Sequence, residues 1–146
     1  MAAPYRDRSW LDPRLALRKS LIRGKGLVAT QSIGVDEVVV VFGGTLFSKE
    51  DIAAGKANNR TLMQVDEDLW LGDPANQPLG EDYFLNHSCD PNLWITGDVT
   101  LTARKNQHCR RIITGRDWMR KDQQARYRGH FTPFLNMRIT RLEGSD

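Results

Sequence analysis

Between two apolar triplets, Tyr83-Phe84-Leu85 and Leu93-Trp94-Ile95, the chain carries the polar run Asn86-His87-Ser88-Cys89-Asp90-Pro91-Asn92. Hydrogen-bonding groups this dense beside apolar walls are what a pocket for a charged, partly apolar ligand requires. The same residues also suit a capped turn. Asn, Ser and Asp bond their own backbone, and Asp90-Pro91 is a common turn opener. Composition leaves both readings open. A second feature is Gly24-Lys25-Gly26, a turn between two apolar segments.

Short strands must hold these residues. Leu15, Leu17 and Leu21-Ile22 among basic residues suggest a first strand, ended by the glycine turn, and Leu27-Val28-Ala29 begins a second. Ile33 to Asp36 reads as a turn. Glu37 to Phe42 is β-branched and reads as a buried strand, broken by Gly43-Gly44. Ser48 with Asp51 three residues on marks a helix start, and Gly55 a stop, so 49–54 is expected to be helical. Thr61 to Val65 and Asp68 to Leu71 are short strand candidates, and Asp73-Pro74 opens a loop. Asn92 to Thr96 and Val99 to Ala103 pair through Gly97-Asp98, a type I′ candidate. Arg116 to Arg128 reads as a helix, with Asp117 as cap and Gly129 as stop. These elements predict a β-rich domain with one C-terminal helix.

Composition bounds the class. At 146 residues and 40% hydrophobic content, the chain suits one compact domain. The longest apolar run, Val38 to Phe42, is too short to cross a bilayer. The first ten residues lack an apolar signal core, and two cysteines make no disulfide framework, so an intracellular, reduced protein is expected. The net charge of +3 conceals a segregation. Residues 1–33 hold seven basic and two acidic side chains, residues 34–100 three and twelve, and residues 101–146 eleven and four. Basic ends folded onto an acidic middle would explain this, as would an acidic middle that attracts a basic peptide. No nucleic-acid motif accompanies the Arg-rich tail, so nucleic acid is not an expected partner.

The run at 86–92 resembles the signature of the SET-domain family of protein-lysine methyltransferases. The segment from Arg23 to Ile33, RGKGLVATQSI, resembles that family's N-terminal signature, and the strand at 37–44 follows it in the family's order. The stretch from Cys109 to Ile139 is similar to the tail of bacterial-type members. The resemblance implies a mainly β, SET-domain-like fold, with an N-terminal extension at 1–14, the SET domain at 15–105 and a post-SET-like tail at 106–146. It implies S-adenosylmethionine as cofactor, held by Lys25, Gly26, Leu27, Asn86 and His87, and a lysine-containing protein or peptide as substrate. Glycine would be required at the turn because a side chain blocks close approach of a ligand to the backbone. His87 could instead be a core histidine with one satisfied nitrogen. Phe42 falls where many relatives place a tyrosine near the lysine channel, and Trp94 packs in the core or lines the cofactor site.

The sequence departs from the pattern after Ala103-Arg104. A Gly-Glu-Glu-Leu-Thr-like strand and an Asp-Tyr pair should follow there, but Arg104 to His108 runs directly into Cys109. The segment that supplies the family's catalytic tyrosine, and threads its knot, is missing. No catalytic residue is therefore assigned; of Tyr5, Tyr83 and Tyr127, only Tyr83, nearest the signature, is a candidate to replace the missing tyrosine. Cys89 and Cys109 match two of the four cysteines that hold zinc in relatives, and two thiolates do not close such a site even with His108 beside them. No metal is expected, and Cys89 fits a small buried side chain. A weak or inactive methyltransferase follows, or a non-catalytic module that binds cofactor or peptide. Loss of the threading segment should also leave apolar strand edges at 37–42 and 92–103, inviting homo-oligomerisation.

Overall fold

The computed structural model describes residues 5–21, 24–86, 91–104, 117–126, 128–129 and 131–144. Among the described residues, nine short strands form three antiparallel sheets. Strands β1 (Trp10–Leu11), β4 (Val38–Val41), β9 (Thr100–Ala103) and β8 (Leu93–Thr96) lie side by side in that order. A hairpin of β2 (Leu15–Lys19) and β3 (Lys25–Ala29) makes the second sheet. The third runs β5 (Thr45–Ser48), β7 (Leu69–Gly72), β6 (Met63–Asp66). Helices are α1 (Lys49–Ala53), α2 (Lys121–Arg126) and α3 (Pro133–Glu143), with 3-10 turns at Glu81–Phe84 and Asp117–Met119. The mainly β reading with a C-terminal helix holds.

The valines of β4 explain how the main sheet is sealed. Val38 pairs with Thr102 and Val40 with Leu101, so Val39 is the extra residue of a bulge. Strict alternation would turn Val39 and Val40 to opposite faces, yet both are fully buried. Val65, Leu71 and Val99 form the neighbouring core, joining the third sheet to the β8–β9 loop, with Phe42, Leu46 and Tyr5 packed against them.

Residues 5–14 are woven into this sheet. Trp10 and Leu11 pair with Val41 and Val40. The Arg6 carbonyl accepts from the Gly44 amide at 2.9 Å, and Asp12 donates to the Val39 carbonyl at 2.9 Å. Gly43 makes this possible, since a Cβ there would lie 2.4 Å from the Arg8 carbonyl oxygen. The edges differ from expectation in consequence. β4 lies between β1 and β9, and β9 between β4 and β8, so of the strands expected to lie open only β8 keeps an unpaired side among the described residues.

Three local expectations are corrected. Thr96 pairs with Thr100, so the β8–β9 loop has three residues, Gly97 to Val99, and only Gly97 takes a positive φ, +75°. Val99 is drawn out of the strand because its side chain is buried and its carbonyl accepts from Phe42. A type I′ turn is excluded, as its second residue would also need positive φ. The first strand stops at Lys19, where the Ser20 amide closes onto the Gly24 carbonyl, leaving Leu21 fully exposed.

The expected helix over 116–128 is the third. It is divided at Arg120 into the tight turn Asp117–Met119 and α2. That turn carries Trp118 to Arg138, whose guanidinium lies 4.6 Å from the indole centroid. The longest helix, α3, lies beyond the expected one. Thr132 caps it by accepting from the Leu135 amide at 3.3 Å, and Pro133 pre-sets its first turn. The helix at 49–53 is as expected, with reciprocal capping between Ser48 and Asp51.

Basic ends do meet the acidic middle. Arg14 reaches Glu37 at 3.2 Å, Arg104 reaches Asp36 at 3.5 Å, and Arg141 reaches Glu67 at 3.3 Å. No helix among the described residues is long and apolar enough to cross a membrane.

Candidate functional site

The β2–β3 hairpin turns at Ser20 to Gly24. Gly24 adopts φ +51°, a left-handed conformation that glycine enters without a Cβ clash. Open space surrounds the position its Cβ would take. Lys25 and Leu27 then enter β3, opposite Lys19 and Leu17. Gly26 lies between them and is buried.

On the other side, the 3-10 turn Glu81–Phe84 delivers the start of the polar run. Gly80 leads into it, Tyr83 and Leu85 close on the carbonyls of Gly80 and Asp82, and the Ser9 hydroxyl donates to the Asp82 carboxylate at 2.7 Å. The N-terminal segment thus braces the element that presents Asn86.

The two motifs meet. The Asn86 side-chain amide donates to the Lys25 carbonyl at 3.1 Å and to the Ser20 hydroxyl oxygen at 3.1 Å. A Cβ on Gly26 would lie 2.5 Å from the Asn86 amide nitrogen. The space beside Gly26 is thus taken by the end of the Asn86 side chain, which a Cβ there would displace. Lys25 also extends its ammonium to within 5.8 Å of the Phe84 ring centroid, a second link between hairpin and polar run.

Tyr83 stands edge-to-face on Phe84, their centroids 5.4 Å apart. Its hydroxyl accepts from Arg60, from Nη2 at 2.7 Å and from Nε at 3.2 Å, and the same guanidinium lies 4.8 Å from the ring centroid. The other described phenol, Tyr5, donates to the Asp98 carboxylate. Burial first, then that bond and the charges of Asp98 and Asp66, push its hydroxyl up to about 12. Near the polar run, burial and the charge of Asp82 raise the Asp73 carboxyl, against a bond with Thr61.

Leu27 and Leu85, each one residue from the Gly26–Asn86 contact, also line a groove of about 290 Å3 between hairpin and main sheet. Leu15, Val39 and Leu93 supply further apolar wall, with Arg104 at the same groove. Its size is at the lower end of the roughly 300–1,000 Å3 of small-molecule sites.

Of the residues read from sequence, Lys25, Gly26, Leu27 and Asn86 come together. His87, Cys89, His108, Cys109 and Tyr127 lie outside the described residues. Phe42 is half-buried against the Val65–Leu71–Val99 core, and Trp94 is half-buried in β8 opposite Thr102. Sequence reading named Phe84 only as part of an apolar wall and passed over Ser20 and Arg60, which nothing in sequence ties to the polar run.

A family model described as SET domain matches residues 24–123, which is 100 of the 146 residues. The match takes in the glycine turn and the polar run, and continues past Arg104 into α2. No curated protein matches the chain.

Proposed function

The chain belongs to the SET-domain family, a family of lysine-methyltransferase type, and from that premise we propose that it binds S-adenosylmethionine between Lys25–Leu27 and Asn86. Members of the family generally use this cofactor and act on lysine-containing proteins. The observation that carries the reading is the Asn86 amide on the Lys25 carbonyl, across 61 residues of sequence. The fit is chemical as well. Open space at Gly24, the acceptor end of the Asn86 amide and the apolar groove at Leu27 and Leu85 suit a ligand part polar and part apolar. His87 completes the proposed set.

When bound, S-adenosylmethionine supplies a methyl group on sulfonium sulfur, open to in-line attack by an amine. The chain's own task would be to hold that group and orient a deprotonated lysine toward it. We propose that the segment carrying the family's tyrosine is missing after Arg104, and that transfer is weak or absent for that reason. Positioning and acid–base groups each contribute about 10²–10⁴ in rate, and a displaced group costs about 10²-fold. The domain would span 15–105 with a post-SET-like tail from 106, in a cytoplasmic protein. The exposed Asp66-Glu67-Asp68 turn belongs to an acidic middle suited to a lysine-bearing peptide.

A second reading, a binding module without turnover, is favoured by the engagement of both described phenols. Tyr5 serves Asp98 and Tyr83 serves Arg60. A guanidinium held against Tyr83 would also repel a substrate ammonium, so Tyr83 is a poor substitute for the missing tyrosine. Titration calorimetry with S-adenosylmethionine, beside radiolabelled methyl transfer to a lysine-rich protein mixture, tests both readings. Binding with transfer supports the enzyme, and binding alone supports the module. Absence of binding removes both cofactor-based readings.

A further inference from the structure

Ser20 lies outside the glycine turn and the polar run, yet it takes one of the two hydrogen bonds that Asn86 makes to the hairpin. We infer that Ser20 is a positioning residue of the cofactor site, which locks the Asn86 amide with its carbonyl end as the face offered to ligand. The inference rests on the S-adenosylmethionine reading above and deepens it.

A primary amide has two N–H donors and one acceptor oxygen. The Lys25 carbonyl can only accept, so the end of Asn86 that faces it must be nitrogen. Chemistry thus fixes the orientation of this amide. The second N–H goes to the Ser20 hydroxyl oxygen at 3.1 Å. With both donors engaged inside the hairpin, Asn86 can offer a ligand only its acceptor oxygen. It would select a ligand donor, such as an amine, an ammonium or a ribose hydroxyl.

Ser20 is itself held. Its amide donates to the Gly24 carbonyl at 2.8 Å, which ties it to the residue with φ +51°. A Cβ on Gly26 would lie 3.2 Å from the Ser20 Cβ and 2.5 Å from the Asn86 amide nitrogen, so Ser20, Gly26 and Asn86 occupy one packed corner. Removing the hydroxyl leaves one N–H of Asn86 without this acceptor, and the amide held to the hairpin by the Lys25 carbonyl alone.

Calorimetric titration with S-adenosylmethionine, with side-chain amide proton exchange of Asn86 followed by NMR, tests the inference. Ser20→Ala is expected to weaken binding about tenfold, in line with loss of one ordering hydrogen bond. It should also speed exchange of the Asn86 amide protons while leaving the melting temperature of the ligand-free protein nearly unchanged. Ser20→Thr, which keeps the hydroxyl, should restore both. Asn86→Asp keeps the acceptor and removes both donors, so it should lose binding, since the carboxylate cannot face the Lys25 carbonyl. That variant also decides the matter should Ser20→Ala fail to fold.

Unchanged binding in Ser20→Ala, or an Asn86→Asp variant that binds as well as the native chain, overturns the inference alone. A native chain that binds no S-adenosylmethionine overturns it together with the reading on which it rests.

Discussion

Gly26 does its work by lacking atoms. Its missing Cβ leaves the volume into which the Asn86 amide fits, so Gly26→Ala must push that amide off Ser20 and Lys25. Cofactor affinity measured by calorimetry is expected to fall about tenfold or more, as two ordering hydrogen bonds are lost. Ionisable residues set the pH limits of the fold. Asp12 is buried and grips Arg14 through both carboxylate oxygens, at 2.9 and 2.7 Å, which holds its carboxyl down at about 2. Glu37 is lowered mainly by its bonds to Arg14 and then to the Gly34 amide. Carboxyls depressed in the folded state contribute stability that is complete above their ordinary values and lost as pH falls through the folded ones. Melting temperature should therefore decline between about pH 4 and 2, and Asp12→Asn should flatten that limb. Tyr5 acts at the other limit. Its hydroxyl is raised, so its contribution is complete below about pH 10 and lost as pH rises through about 12. Tyr5→Phe should remove that alkaline dependence.

The elements carry their own predictions. Residues 5–11 form a strap that covers the β4 edge, lays the Arg6 and Arg8 carbonyls on Gly43 and reaches Asp82 through Ser9. Removing residues 1–11 uncovers that edge and frees the turn that presents Asn86. Loss of cooperative unfolding in denaturant is the expected result. A milder change tests α1. Ser48→Ala breaks the reciprocal cap with Asp51 and should cost about 1 kcal/mol by urea titration. The same strap corrects the expected edges, because pairing of β1 with β4 leaves β8 as the open four-residue strand of the main sheet.

At the scale of the molecule, a small core among the described residues joins the β5–β7–β6 sheet to the main sheet. Leu71 is 1% exposed and joins Val65 and Val99, so Leu71→Ala should destabilise the protein by about 2–5 kcal/mol, measured by chemical denaturation. The open edge of β8 presents backbone that another chain could pair with. Concentration-dependent dimerisation in analytical ultracentrifugation is the expected outcome, and a monomer at every concentration would count against it. Charge segregation has a plain structural use. The pairs Arg14–Glu37, Arg104–Asp36 and Arg141–Glu67 bring basic ends onto the acidic middle. Such exposed pairs contribute little each, so added salt should lower stability only slightly.

Local signals by themselves determined much of this protein. The β-branched run at 38–41, the Ser48–Asp51 cap and the two family signatures were all legible, since each depends on residues near one another in sequence. What local signals could not decide was which distant groups would compete for the same atoms. Phe42 draws the Val99 carbonyl into the core and lengthens the β8–β9 loop. Arg138 stacks on Trp118, which stands in the turn that divides the expected helix. Arg60 takes the Tyr83 hydroxyl, and Asn86 fills the space Gly26 leaves empty. Each of these is a contact between segments far apart in the chain. Packing and hydrogen-bond satisfaction fix such contacts only after the sheets assemble.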